Sequence, residues 1–482
     1  LHQADYLTTS LQYFANSDLE NLNSEEDYVY VNFPFIKLLI YPFAYVTPML
    51  ITAIILFIVL LFFGFSMNKI TIKGALKSFI PFLLSLVLCG LFSFYGWKLF
   101  QIIHPQYKDM LHGFTYNGYQ YILAFSFLSL WLFFKIYNRF FKDISQSDLL
   151  IAPLTFWILI NGFIFQYIKG AGFYIIPVFI SLLVLSVLIF MDVRKNRKPI
   201  LFALLSIPTI YIFAPLVKMF PVGLGLKMLF ISSAFIVLIL GLLVPIFHQF
   251  KKKNNLQFLF GFLTIVFLGI ATINSGFSVD NKRPNSLVYF QNEETKMAYF
   301  GTYNNTSDAF ISQKLGDNPT EGSIKNANTS SKYGTRFKYH NRTENKHIKT
   351  AEISINTDTI ILEKRYINLL IQPQRKLTKL EIVATKLNSI DSLFVNGINT
   401  HKKVNYKTSA GTFLTYYFGN LDKEINVSFQ LLKNQEIEFI INEVSNDLLT
   451  HPKFNITPRD SIMMPMPFVT NDAIITSKKL EL

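Results

Sequence analysis

The stretch FGFLTIVFLGIATINSGFSVDNKRPNSLVYFQ, residues 260–291, marks a change in the character of the chain. Its first half is almost entirely apolar, whereas from Leu287 onward apolar and polar residues alternate with a period of two. A long apolar run is typical of a membrane-spanning helix, and alternation is typical of a half-buried strand. The stretch therefore predicts the junction between a membrane domain and a β-rich domain.

The composition agrees with this division. The 482 residues are 51% hydrophobic and only 16% charged, whereas a soluble protein carries about a quarter charged residues. Almost all of the apolar excess lies between residues 35 and 276. We predict a short amphipathic lead-in (1–34), a polytopic α-helical membrane domain (35–276) and an all-β, antiparallel, sandwich-like domain (277–482).

The membrane domain contains eight segments long and apolar enough to cross a bilayer core of about 30 Å. They lie near residues 38–65, 79–103, 119–137, 148–168, 172–191, 199–217, 222–247 and 256–275. Thirteen basic residues follow the odd-numbered segments: Lys69, Lys73, Lys77, Lys135, Arg139, Lys142, Arg194, Lys195, Arg197, Lys198, Lys251, Lys252 and Lys253. The opposite side has five: Lys98, Lys108, Lys169, Lys218 and Lys227. The positive-inside rule then predicts that both termini are extracytoplasmic.

Functional sites inside a membrane need polar or ionisable groups at depth. Asn161, beside Gly162, is the main polar residue in the middle of a span, and Lys98, Lys218 and Lys227 lie near the outer ends, where long side chains reach the interface. His248 lies at an inner boundary. This pattern favours helix packing, and a transporter is the less favoured alternative.

Ten short alternating segments follow, with no long helix between them, which indicates an antiparallel sandwich. They are 286–291, 295–301, 349–355, 359–366, 367–373, 379–387, 392–398, 412–419, 425–432 and 436–444. Residues 302–346, rich in Asn, Ser, Lys and Gly, are predicted to form a long flexible loop.

The chain lacks the sequence motifs of common catalytic sites. It contains no HExxH, GxSxG or P-loop, and its single cysteine, Cys89, lies in an apolar segment. The histidines of the C-terminal part lie apart, without a carboxylate at ligand-like spacing: His340, His347, His401 and His451. Asp391 and Asp447 are single acids in turn or strand-end contexts, which favours solvated side chains over catalytic ones. We therefore predict no catalytic, cofactor-binding or metal-binding residue in this chain. The net charge of +14 lies largely in short loops, so no nucleic-acid partner is expected.

The first residues, LHQADYLTTSLQYFANSDLENL, predict an amphipathic helix. Its apolar stripe, made by Ala4, Leu7, Leu11, Phe14, Leu19 and Leu22, requires a partner. Residues 1–19 resemble the last helix of the catalytic domain in membrane-bound zinc aminopeptidase-like proteases, the vacuolar membrane protease and endoplasmic reticulum metallopeptidase group. His2, Ala4, Asp5, Leu7 and Leu11 fall in register, with Ala4 where a glycine is usual.

Three further stretches are similar to the same family: DYVYVNFPFIKLLIYP (27–42), RPNSLVYF (283–290) and DAIITSKKLEL (472–482). The resemblance implies that residues 1–34 are the closing helix and linker of a peptidase domain that precedes them. That domain would hold two zinc ions, contact this chain through Leu7, Leu11 and Phe14, and cleave peptides outside the cytoplasm. A bacterial-type inner membrane with periplasmic domains is favoured over a vacuole or endoplasmic reticulum. The alternative is a non-enzymatic membrane protein whose exterior sandwich binds a ligand or glycan.

Overall fold

The structure is a computed structural model that describes residues 2–20, 22, 25–191, 198–249, 253–327, 329–386, 389–400, 404–405, 411–419 and 424–482. It divides into two compact units. A helical unit comprises residues 1–99 and 117–274, and a β unit comprises residues 100–116 and 275–482. The β unit therefore includes the connection between two long helices as well as the C-terminal part of the chain.

The helical part is built from apolar segments whose backbone groups are satisfied within each helix. Its helices are α1 (His2–Ala15), α2 (Val46–Ser66), α3 (Ile72–Ile103), α4 (Gly118–Phe140), α5 (Gln146–Tyr167), α6 (Ile175–Phe190), α7 (Lys198–Leu224), α8 (Leu229–Leu242), α9 (Val244–Phe247) and α10 (Lys253–Ile273). Within the described residues, seven helical stretches are long and apolar enough to cross a membrane.

The predicted span at 222–247 differs from the other seven, because the helix there is shorter. A 3-10 turn and α8 form one apolar helix, Leu226–Leu242, which falls short of a full span. Gly225, with φ of 89°, starts it, and α9 begins just after Leu243, with Pro245 in its first turn. Glycine and proline thus set both ends of this helix.

The first predicted span, 38–65, begins too early. A β-hairpin precedes the helix, with β1 (Tyr28–Phe33) paired antiparallel to β2 (Lys37–Pro42). Its turn requires positive φ at Phe35 and Lys37. The apolar residues of β2 therefore continue the hydropathy of α2 without being helical.

The interior of the helical unit is aromatic and aliphatic, with Phe82, Phe133, Trp157 and Phe213 fully buried. Large apolar side chains also cover its outside, among them Phe62 on α2 and Phe258 and Ile265 on α10. An apolar surface of this extent is rare on a soluble protein. It is consistent with contact with a lipid bilayer.

The β unit contains an eight-stranded and a five-stranded sheet, and four of its strands form two two-stranded sheets, β11-β14 and β18-β3. Its elements are β3 (Arg283–Asn285), β4 (Val288–Asn292), β5 (Ala298–Thr302), α11 (Ala309–Leu315), β6 (Thr320–Glu321), β7 (Tyr339–Thr343), β8 (Glu352–Ile361), β9 (Lys364–Gln372), β10 (Lys379–Lys386), β11 (Ser389–Ile390), β12 (Ser392–Val395), β13 (Ile398–Asn399), β14 (Val404–Asn405), β15 (Gly411–Tyr417), β16 (Ile425–Leu432), β17 (Glu438–Ser445), β18 (Met463–Pro465) and β19 (Ala473–Glu481).

The two large sheets share an apolar core. The eight-stranded sheet has the order β15-β10-β17-β19-β4-β5-β7-β6, and the five-stranded sheet has the order β13-β12-β16-β9-β8. Ile382 and Phe439 of the first sheet and Leu369 and Phe429 of the second belong to one buried cluster. Alternate residues of each strand face this cluster, as expected for a sandwich.

Three features of the β unit differ from the predictions. The sheets are not purely antiparallel, because β19 pairs parallel with β4 and β18 pairs parallel with β3. The boundary between the predicted strands 359–366 and 367–373 is wrong, since the chain turns at Leu362. The predicted loop 302–346 contains α11, β6 and β7. Helix α11 forms there because Asp308 caps it by accepting a hydrogen bond from the Ile311 N–H at 3.0 Å.

Candidate functional site

The apolar face of α1 is exposed in the structure. Leu7 is 71% exposed, Leu11 69% and Phe14 45%, although their spacing places them on one side of the helix. The opposite side carries polar residues, among them Thr9 and Gln12. This face is the surface that the sequence predicted to need a partner.

The RPNSL stretch forms a set of buried hydrogen bonds within the β unit. Arg283 donates from Nη2 to the Thr306 Oγ1 at 2.7 Å and to the carbonyl oxygens of Thr306 and Ser307, both at 3.1 Å. Ser286 Oγ accepts from the Tyr303 N–H at 2.8 Å. The motif thus orders the loop that follows β5.

Asn285 joins the motif to the last part of the chain. Its side chain is fully buried, accepts a hydrogen bond from Arg459 Nε, and donates to the Asp308 Oδ2 at 3.2 Å. Arg459 also forms a two-pronged pair with Asp472, with one arm at 2.7 Å, and its guanidinium lies 4.2 Å from the Phe310 ring centroid. A planar guanidinium suits this combination of a fork to a carboxylate and a stacked ring.

Asp109, in the connection between α3 and α4, is bound to the same loop. Its carboxylate is fully buried and accepts hydrogen bonds from the Asn305 N–H at 2.6 Å, the Asn305 Nδ2 at 3.1 Å and the Thr306 Oγ1 at 2.7 Å. Thr306 is therefore held from one side by Arg283 and from the other by Asp109. We call residues 304–308, with Arg283 and Asp109, the latch.

Sequence reasoning did not identify Asp109. It is a single acidic residue in a short connection, and its partners lie 196 and 197 residues later. The only local signal is that a carboxylate stands next to apolar residues, Met110 and Leu111.

The histidines considered as metal ligands are not brought together. His340 Nδ1 is hydrogen-bonded to the Gly322 carbonyl oxygen at 3.0 Å, and His451 packs against Phe454 with ring centroids 5.6 Å apart. His347 is exposed, and His401 lies outside the described residues. Over the part of the chain that the structure describes, no group of three or more His, Cys, Asp or Glu is placed to hold a metal.

The two acids singled out from the sequence have different surroundings. Asp391 forms an exposed ion pair with Lys364 at 3.0 Å. Asp447 is half-buried at the end of β17, where its backbone carbonyl oxygen accepts from the His451 N–H at 2.8 Å.

The polar residues singled out in the predicted membrane segments have structural partners. Asn161 donates from Nδ2 to the carbonyl oxygens of Trp157 at 2.8 Å and Tyr174 at 3.0 Å. Lys98 lies 4.3 Å from the Phe94 ring centroid, and Lys218 lies 5.1 Å from that of Tyr119. These contacts link neighbouring helical segments or anchor side chains. Of the basic residues that set the predicted orientation, Arg194, Lys195, Arg197, Lys251 and Lys252 lie outside the described residues.

A buried acid in the β unit was also missed. Glu443 on β17 is fully buried and accepts from the Ala351 N–H at 2.7 Å. Burial raises the pKa of the Glu443 carboxyl, while this hydrogen bond and the positive charge of Arg375 oppose the shift. Alternation predicted a strand at 436–444, but it gives no sign that a carboxyl occupies a buried position.

Comparisons of the chain with known protein families, with characterised proteins and with solved structures give no match.

Proposed function

We propose that this chain is the membrane-anchoring and accessory part of a zinc-dependent peptidase of the exopeptidase type, which acts on the extracytoplasmic side. The observation that carries the proposal is the exposed apolar face of α1, formed by Leu7, Leu11 and Phe14. In the resembling proteases, the corresponding helix closes the catalytic domain. Burying these three side chains against such a domain would contribute several kcal/mol, at about 25 cal/mol per Å² of apolar surface.

The zinc chemistry is assigned to the other domain. The resemblance implies that the residues that bind zinc precede the helix α1. The role of this chain is to hold the catalytic domain at the membrane and to contribute one helix to its core.

The chain segments that make up the β unit support eight spans and extracytoplasmic termini. Because residues 100–116 and 275–482 belong to one compact unit, we infer that the chain between them crosses the membrane an even number of times. Five long apolar helical stretches lie between them in the described residues. We infer that the shorter helix, Leu226–Leu242, supplies the sixth crossing together with α9, which agrees with the predicted extracytoplasmic termini. The basic connections, including Lys69 and Arg139, lie on the cytoplasmic side.

The test uses the natural protein in membrane vesicles, with an aminoacyl 4-nitroanilide as substrate and with or without a zinc chelator. The variant Leu7→Glu/Leu11→Glu places two charges in the proposed interface. Because an unpaired buried charge costs several kcal/mol, activity should fall by at least about tenfold. The matched control, Thr9→Glu/Gln12→Glu, adds the same charge to the polar side and should stay within about twofold of the natural protein.

Three results would overturn the proposal. One is the absence of chelator-sensitive activity above vesicles that lack the protein. Another is an equal loss of activity in the two double variants. The third is loss of the apolar-face variant from the membrane, because α1 would then serve insertion and not a catalytic domain. Immunoblotting of the vesicles measures the amount of each variant in the membrane directly.

The alternative, an exterior ligand-binding domain, is favoured by one observation, an open pocket in the β unit lined by Lys332, Tyr417 and Phe468 among others. A transport function has no comparable support, since Asn161, the main polar residue at depth, donates to two carbonyl oxygens of its own unit.

A further inference from the structure

An open pocket of about 380 Å³ lies in the β unit where residues 330–332 pass the segment 468–470. Its floor includes Lys379 of β10 and Thr470, and its rim includes Lys332, Tyr417 and Phe468. The two passing segments are joined by a hydrogen bond from the Lys332 N–H to the Phe468 carbonyl oxygen, at 3.3 Å.

Lys379, on the floor of the pocket, belongs to a buried ion pair. Lys379 Nζ lies 3.0 Å from the Glu381 Oε1, and the side chains are only 8% and 2% exposed. Glu381 also accepts from the Ser330 N–H, at 3.0 Å to each oxygen, and from the Ser330 hydroxyl. The Lys379 ammonium compensates the charge of this carboxylate, and the pocket is lined by Lys379 and not by Glu381.

The groups left to face a ligand are mainly hydrogen-bond donors. Thr470 Oγ1 accepts from Lys379 Nζ at 3.0 Å and from Thr329 Oγ1 at 2.8 Å, which leaves its own O–H as a donor. Lys332 adds an exposed ammonium group at the rim, 4.9 Å from the Phe468 ring centroid. A pocket of this kind is complementary to an acceptor-rich anion.

The rim also presents apolar rings. Tyr417 is 70% exposed and Phe468 is 42% exposed, and Tyr333 meets the Phe468 ring edge-on at 5.4 Å. Phe468 has φ of 67°, a left-handed conformation that is strained for a bulky side chain. Strained residues concentrate at ligand-binding positions, where the surrounding structure holds them in place.

We propose that this pocket binds a carboxylate that carries an apolar group. The carboxylate lies against Lys332 and the Thr470 hydroxyl, and the apolar group lies against Phe468 and Tyr417. Both the C-terminal end of a peptide and a small organic acid have this chemistry. The inference does not rest on the peptidase proposal, because it concerns binding alone.

The test measures binding to the whole chain in lipid nanodiscs by isothermal titration calorimetry. The probes are the tripeptide Ala-Ala-Phe as the free acid, the same tripeptide as the C-terminal amide, and N-acetylphenylalanine. We expect the free acid to bind at least about tenfold more tightly than the amide, because the amide lacks the anionic charge. Binding of N-acetylphenylalanine as tight as that of the tripeptide would identify a small acid as sufficient, and weaker binding would identify the peptide end.

Two variants test the residues. Lys332→Gln should weaken binding of the free acid about tenfold, whereas the control Lys433→Gln, on a lysine paired with Glu363 at the end of β16, should leave it unchanged. Phe468→Gly removes the ring at a position where glycine relieves the backbone strain, so it should weaken binding without lowering the melting temperature.

Equal binding of acid and amide, or no binding of either at millimolar concentration, would overturn the proposal. So would unchanged binding by both pocket variants.

Discussion

The helical unit and the β unit satisfy their buried polar groups in different ways. In the helical unit, many buried hydroxyls bond to a carbonyl oxygen four residues earlier in the same helix: Ser85, Ser129, Ser206 and Thr264. In the β unit, Arg459 reaches Asn285, 174 residues away, and Asp109 reaches Asn305, 196 residues away.

The difference follows from backbone geometry. A helix pairs its own N–H and C=O groups, so its side chains need few distant partners. The loops of the β unit leave backbone groups unpaired, and buried charged side chains satisfy them. Removing a polar side chain should therefore cost more in the β unit than in the helical unit.

The latch should show the largest effect. Asp109→Ala removes the acceptor of three hydrogen bonds and leaves buried donors unsatisfied, so we expect a loss of about 3 kcal/mol in the stability of the latch. Hydrogen exchange followed by mass spectrometry should show faster exchange at Asn305. The control Glu363→Ala removes one partner of the exposed ion pair with Lys433 and should cost less than about 1 kcal/mol. Unchanged exchange at Asn305 would contradict the role of Asp109.

Removing a polar side chain from the helical unit should cost less stability. Asn161→Ala removes two hydrogen bonds to carbonyl oxygens, and hydrogen bonds of this kind in membrane proteins contribute about 1 kcal/mol. Unfolding of the chain in mixed micelles measures the loss. Gly162→Ala is the neighbouring control, because a Cβ there meets no atom within 4 Å and alanine favours the helix. If Asn161→Ala costs as much as Asp109→Ala, the contrast between the units fails.

Glu443 should give the smallest effect, and one that depends on pH. Its pKa is raised in the folded state by burial, so the native state holds the proton more tightly than the unfolded chain. Stability from this group is therefore present below the unfolded pKa, about 4.3, and is lost as pH rises through the native pKa. Glu443→Gln cannot ionise and should become progressively more stable than the natural protein over that rise.

Glu438 provides a control of opposite sign. The hydrogen bond from Lys479 lowers the pKa of its carboxyl, so its contribution to stability is present above the unfolded pKa and is lost as pH falls. Glu438→Gln should thus be the less stable variant near neutral pH. Denaturant titrations at several pH values measure both variants, and parallel curves for the two would show that burial of Glu443 does not govern its titration.

The same contrast explains how much the sequence could predict. Hydropathy predicted the seven long apolar helices of the described residues, and alternation predicted most strands. Both signals are local and repeat along the chain. The hairpin between β8 and β9 was misplaced because Leu362 takes a left-handed conformation, with φ of 57°, without the usual Gly or Asn. The latch could not be predicted, since no periodicity links Asp109 to Asn305.

The exposed face of α1 is the part of the candidate site that the sequence predicted by position, since Leu7, Leu11 and Phe14 follow helical spacing. The sequence did not predict the pocket beside Lys379. Alternation on β10 marks Leu380 and Ile382 as core residues. The Lys379–Glu381 pair is buried because Ser330 and Thr470, which are distant in the sequence, contact it.

The latch also limits when part of the β unit can fold during synthesis. At a synthesis rate of about 5–20 residues per second, Asp109 emerges roughly 10–40 s before Asn305, which lies 196 residues later. The helices from α4 to α10 are made during that interval. The contacts between Asp109 and Asn305 cannot form until those helices have been synthesised, because Asn305 follows them in the chain.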